Sequence, residues 1–137
     1  RRKYKGHAYH ILNLYDTFDT SNLDTDYNVI IANDFLEHIA NPSNILRNSI
    51  KISSDDCLFY FSVPNWRMNH TFINRGLFDY DNFIYFCYTH GLTPITVHGS
   101  PLICNNPQPR LSSEEGLPDS LLDSWNWYFT LKKGMRE

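Results

Sequence analysis

The chain has 137 residues, 42% of them apolar and 20% charged, which suits one ordinary domain with a substantial core. A formal net charge of −3 excludes any bulk electrostatic attraction to nucleic acid or an anionic membrane, and the basic run Arg1, Arg2, Lys3, Lys5 reads as a solvated terminus. No apolar stretch approaches the roughly 20 residues that span a bilayer. Cys57, Cys87 and Cys104 form neither a disulfide framework nor a C-x-x-C zinc set, so a soluble, cytoplasmic protein is expected.

In chain order, residues 8–14 read as a strand centred on Ile11 and Leu12. A polar stretch over 15–26 follows, with Asp16, Asp19, Asp24 and Asp26 among Thr, Ser and Asn, which is loop chemistry. Residues 27–32 form the clearest strand. Val29, Ile30 and Ile31 are contiguous and β-branched, which predicts cover on both faces. The strand stops at Asn33 and Asp34, and Phe35 to Ile39 looks like the start of a helix.

A helix is predicted from Pro42, with Ile45, Leu46 and Ile50 as its apolar stripe and Ser53-Ser54-Asp55-Asp56 as its end. Residues 57–63 are a second buried strand, closed by Pro64-Asn65. A second helix is expected over 79–90, with Asp79 or Asp81 near its start and Gly91 as its C-terminal cap. Strands at 93–98 and 126–131 flank a proline-rich loop at 105–119. The pattern is that of a layered α/β sheet.

The phrases along these elements resemble class I S-adenosylmethionine-dependent methyltransferases. Tyr27-Asn28-Val29-Ile30 is followed by Leu36-Glu37-His38 and Pro42, and Ser62-Val63-Pro64-Asn65 ends the next strand. Phe78-Asp79-Tyr80 leads a helix that ends at Gly91-Leu92. The resemblance runs from about Ile11 onward and is to the C-terminal portion of that domain.

It implies one Rossmann-like domain over residues 1–137, mostly parallel with an antiparallel last strand and incomplete on its N-terminal side. The family's glycine-rich cofactor turn is absent, since no two of the six glycines are neighbours. Two readings follow. One is methyl transfer from S-adenosylmethionine to an acceptor, a small molecule being favoured, by a longer polypeptide of which this segment alone is inactive. The other is a degenerate fold kept as a binding or scaffolding module. The N-terminal sheet edge is expected to meet the rest of the domain or a partner chain; neither membrane nor nucleic acid is an expected partner.

By the same resemblance Asp16 would accept a hydrogen bond from the adenine amino group, and the backbone N–H of Thr17 would serve a ring nitrogen. Asn33, Asp34 and Phe35 would line the cofactor wall, with His38 as further lining. The alternatives are a turn-forming Asp16 and simple capping by Asn33 and Asp34.

Glu37 and His38, adjacent in a helical turn, are expected to point apart and to hydrogen-bond local backbone. Asn65, Trp66 and Arg67 follow a strand's carboxyl end and are candidates for acceptor contact; the alternative is packing. His7, His10, His70, His90 and His98 have no metal-ligand spacing, so no metal is expected, and no catalytic base is assigned.

Overall fold

The computed structural model describes residues 20, 23–68, 70–100 and 118–134. The strand expected at 8–14, Asp16, Thr17 and most of the 105–119 loop lie outside them. Among the described residues one four-stranded sheet forms from β1 (Tyr27–Asn33), β2 (Ser53–Pro64), β3 (Leu92–Gly99) and β4 (Asn126–Lys133), in the order β1-β2-β4-β3. β1 and β2 are parallel, and β4 runs antiparallel to both β2 and β3. The chain is thus an α/β fold, broadly Rossmann-like, with the last strand inserted in reverse as expected.

Helix α1 (Pro42–Lys51) connects β1 to β2 and opens with Pro42, whose missing N–H is no loss in a first turn. Ile45 and Leu46 are buried, and Ile50 packs on the core. Helix α2 (Tyr80–Thr89) connects β2 to β3. Asp79 caps it by accepting from the Asn82 N–H at 3.4 Å, and Gly91 ends it at φ +79°, where a side chain would be strained. Pro94 is tolerated in β3 because that strand is the sheet edge, with a register shift between Pro94 and Thr96. A short helix α3 (Asp119–Leu122) precedes β4.

Two expectations are corrected. Ser53 to Asp56 do not merely end α1: they begin β2, because Tyr27 pairs with Ser53 across a shift in β1 and the Lys133 ammonium donates to the Ser53 carbonyl at 2.9 Å. The Ser53 hydroxyl still donates to the last turn of α1, to the Ile50 carbonyl at 2.7 Å. Second, β1 is not covered on both faces. Val29 and Ile31 are 47% and 63% exposed. They share a face with Tyr60 and Thr130 that no described element covers.

The opposite face holds the core. Phe59, Phe61 and Val63 of β2 alternate inward, as do Trp127, Phe129 and Leu131 of β4. Phe83 of α2 meets Phe129 with ring centroids 5.0 Å apart, and Cys87 lies one turn further along the same buried stripe. Among the described residues the core lies on this face, and β1 and β2 end side by side with Asn33 opposite Ser62.

Candidate functional site

At the end of β1, Asn33 is in register with Ser62 of β2. Asp34 then turns into the left-handed region at φ +45°, a conformation that costs a non-glycine residue energy unless its surroundings hold it. They do. Its N–H donates to the carbonyl and the hydroxyl oxygen of Ser62, both at 3.0 Å. Its carboxylate accepts from the Asn126 amide at 2.7 Å and from the Ser62 hydroxyl at 3.3 Å.

Asp34 therefore ties β1, β2 and β4 together at one edge. Phe35, not Asp34, is the N-cap residue of the short 3-10 turn Leu36–His38, and no side chain caps that turn, so capping does not explain the polar switch. Phe35 is half-buried against the core, while Asn33 is exposed. Both line a cleft of about 420 Å³ along the free side of β1, with Ile31, Ile45 and Ser49.

The turn Leu36–His38 is shorter than the helix start expected at Phe35 to Ile39, since Ile39 is already extended. Its middle residue, Glu37, is fully buried, and neither carboxylate oxygen has a hydrogen-bond partner. The expectation that Glu37 points away from its neighbour is thereby corrected, while its own backbone N–H still favours the carboxylate, as the local-backbone expectation had it. Its Oε2 lies 3.8 Å from His38 Nε2 and 3.4 Å from His70 Nε2. Burial pushes the Glu37 carboxyl up from its ordinary range, while its own backbone N–H and then the two imidazoles pull the other way. Separation in sequence hid the convergence, as His70 stands 32 residues beyond His38.

His70 is carried by the segment after β2, and that segment is tightly tied. The Arg75 guanidinium donates to the carbonyls of Trp66, Met68 and His70, the last two at 2.9 Å, and lies over the Phe72 ring at 4.5 Å. The Ile73 N–H donates to the Glu37 carbonyl at 3.0 Å, which joins the segment to the Glu37 turn. Ring contacts continue the chain, His38 tilted against His70 and His70 edge-on to Phe72, with centroids 5.3 Å apart in each pair.

The candidates for acceptor contact turn out differently. Asn65 is fully buried: its amide donates to the carbonyls of Leu122 and Ser124 at 3.0 and 2.9 Å, and its Oδ1 accepts from the Arg67 N–H at 3.1 Å. Arg67 pairs with Asp123 at 3.1 Å, with only 4% of its side chain exposed. Asn65 and Arg67 are thus committed to the fold. Sequence reasoning missed Asn126, Arg75 and the role of His70, and no local pattern around them would have revealed it.

No curated protein matches the chain. A family does: the methyltransferase domain matches residues 4–93, from ahead of β1 through the start of β3. The matched stretch includes the Asn33–Asp34 switch, the Glu37 turn and the segment bearing His70. Covering 90 of 137 residues, the match shows that the chain belongs to the methyltransferase-domain family.

Proposed function

We propose that this chain supplies one wall of the cofactor and acceptor pocket in an S-adenosylmethionine-dependent methyltransferase, acting as part of a longer polypeptide on a small-molecule acceptor. The observation that carries the reading is the family match together with the polar switch at the carboxyl edge of β1, the place where open α/β sheets hold ligands. In the reaction the acceptor's lone pair attacks the sulfonium methyl in line. The carbon–sulfur bond breaks, S-adenosylhomocysteine leaves, and an acceptor that carried a proton gives it up to a base or to water.

Such a displacement needs alignment and a shaped site more than a protein nucleophile. In this reading Asp16 and Thr17 hold the adenine, and Asn33 and Phe35 form the wall beside the cleft. Asp34, its carboxylate already held by Asn126 and Ser62, sets the direction in which that wall leaves the sheet. His38 stands at the acceptor side. The free side of β1 receives the rest of the domain, including the glycine-rich turn these residues lack.

That missing turn favours one other reading, a non-catalytic module. Calorimetric titration of S-adenosylmethionine into the full-length gene product separates the two. Binding that weakens roughly 5- to 30-fold in Asp16→Ala supports the enzyme, in keeping with loss of one partly shielded hydrogen bond of about 1–2 kcal/mol. Absence of cofactor binding by the full-length product would leave the module as the better account. The 137-residue segment by itself is expected to bind weakly or not at all.

A further inference from the structure

We propose that Glu37, His38 and His70 form a site for a divalent transition-metal ion, with Zn²⁺ the ion whose preferences the donors match best. The first observation is geometric: one ligand atom from each residue lies within 4.8 Å of the others. Ligand atoms at the corners of a zinc tetrahedron, with bonds of about 2.0–2.2 Å, stand roughly 3.3–3.5 Å apart. The carboxylate Oε2 is already 3.4 Å from one imidazole nitrogen and 3.8 Å from the other. Small side-chain rotations close the difference.

The second observation is that the Glu37 carboxylate is wholly buried and both its oxygens lack a hydrogen-bond partner. A buried carboxylate in that condition costs free energy that paired groups do not, and buried polar groups are ordinarily satisfied. A cation between the three side chains supplies the missing partner. Two imidazoles with a carboxylate select zinc-like ions over Mg²⁺ or Ca²⁺, which prefer all-oxygen sets.

The surroundings are built to hold this arrangement. Arg75 ties three carbonyls of the segment that carries His70, and the Ile73 N–H fastens that segment to the Glu37 backbone. The imidazoles are partly open, with side-chain exposures of 40% for His38 and 39% for His70, while the carboxylate behind them is not exposed at all. Three protein donors and an open outer side leave a fourth position for water or an acceptor's oxygen. None of the three residues lines the cleft beside β1 that Asn33 and Phe35 border.

The test is calorimetric titration of ZnCl₂ into the chelator-treated, untagged intact chain. Parent, Glu37→Gln, His38→Ala and His70→Ala are compared, with circular dichroism confirming that each is folded. The expected result is a tight one-to-one site in the parent that weakens by about 100-fold or more in His70→Ala and in His38→Ala, a loss exceeding that for typical second-shell changes. Glu37→Gln keeps the shape but removes the charge and is expected to weaken binding as well. MgCl₂ at a thousandfold excess is expected not to compete.

Because His38 and His70 are partly exposed, their alanine variants keep the test decisive should Glu37→Gln fold poorly. Absence of a one-to-one zinc site in the folded parent overturns the proposal. So does a site of unchanged affinity in His38→Ala and His70→Ala, since zinc would then be held by other histidines. Displacement by excess Mg²⁺ would overturn the assignment to a zinc-type ion.

Discussion

Replacing Asn65 should damage the fold far more than any ligand contact. Its side chain satisfies three backbone groups at once in a fully buried position, joining the exit of β2 to the α3–β4 connection 57 and 59 residues away. Asn65→Ala leaves two carbonyls and one N–H without that partner. At about 1 kcal/mol net for each bond, with a further penalty where water cannot reach the orphaned group, the loss is about 3–4 kcal/mol. For a chain of this size that corresponds to a fall in Tm of roughly 10–20 °C. Asn65→Asp is the sharper variant. It keeps the shape but aims a carboxylate oxygen at two carbonyl oxygens, so at pH 7 it should be at least as destabilised as Asn65→Ala. The aspartate's folded pKa would be raised by those contacts, so its deficit is fully present above that pKa. It should shrink as pH falls toward about 4, where the protonated acid can donate one bond. Urea denaturation of the three proteins at pH 7 and pH 4.5 measures this, with an unchanged m-value confirming that the same surface is exposed. An Asn65→Ala protein within about 0.5 kcal/mol of the parent, a shift typical of surface substitutions, would refute the structural role and return Asn65 to the candidates for acceptor contact.

Other consequences can be checked separately. Cys57 and Cys87 are both buried with thiol pKa values raised above the ordinary range by burial, so at pH 8 neither offers thiolate to solvent. N-ethylmaleimide followed by peptide mapping should leave both unmodified in the folded chain and label both in urea. Gly99→Ala should lower stability by about 1–3 kcal/mol, because an added Cβ would stand 2.9 Å from the Ser124 Cβ and closer still to its hydroxyl; thermal denaturation reads the loss. Arg75→Ala, which removes no proposed zinc ligand, should weaken zinc binding by roughly 10-fold through His70, and Arg75→Lys, which keeps the charge but loses the fork that holds three carbonyls, should restore little of it. An unchanged zinc affinity in Arg75→Ala would show that the segment holds His70 without it.

The elements were largely legible because each had a local cause. The contiguous Val29-Ile30-Ile31 run marks β1, the Pro42 start with Ile45 and Leu46 marks α1, and Asp79 with Gly91 brackets α2. The errors also have a physical origin. A β-branched run says that a strand is apolar, not which faces have partners, and the outer face of β1 is open among the described residues. Ser53 to Asp56 look like a helix end by composition, yet backbone pairing with Tyr27 draws the start of that run into the sheet. Local polarity cannot anticipate a pairing 26 residues away.

The candidate site was legible only where position at the end of a strand suggested it. Asn33, Asp34 and Phe35 stand out because an apolar, β-branched run ends there. What Asp34 does depends on Asn126, 92 residues later, which reaches it only because β4 inserts antiparallel beside β2. The same logic separates Glu37 from its neighbours in sequence. Read along the chain, Glu37-His38 is an adjacent pair that a regular helix would point apart. In the fold a single 3-10 turn keeps both near one another, and the Arg75-tied segment returns His70 to the same spot. A fully buried carboxylate facing two imidazoles is the feature on which the proposed metal site rests. It is invisible in sequence because burial belongs to the whole fold, whereas the residue types belong to the chain.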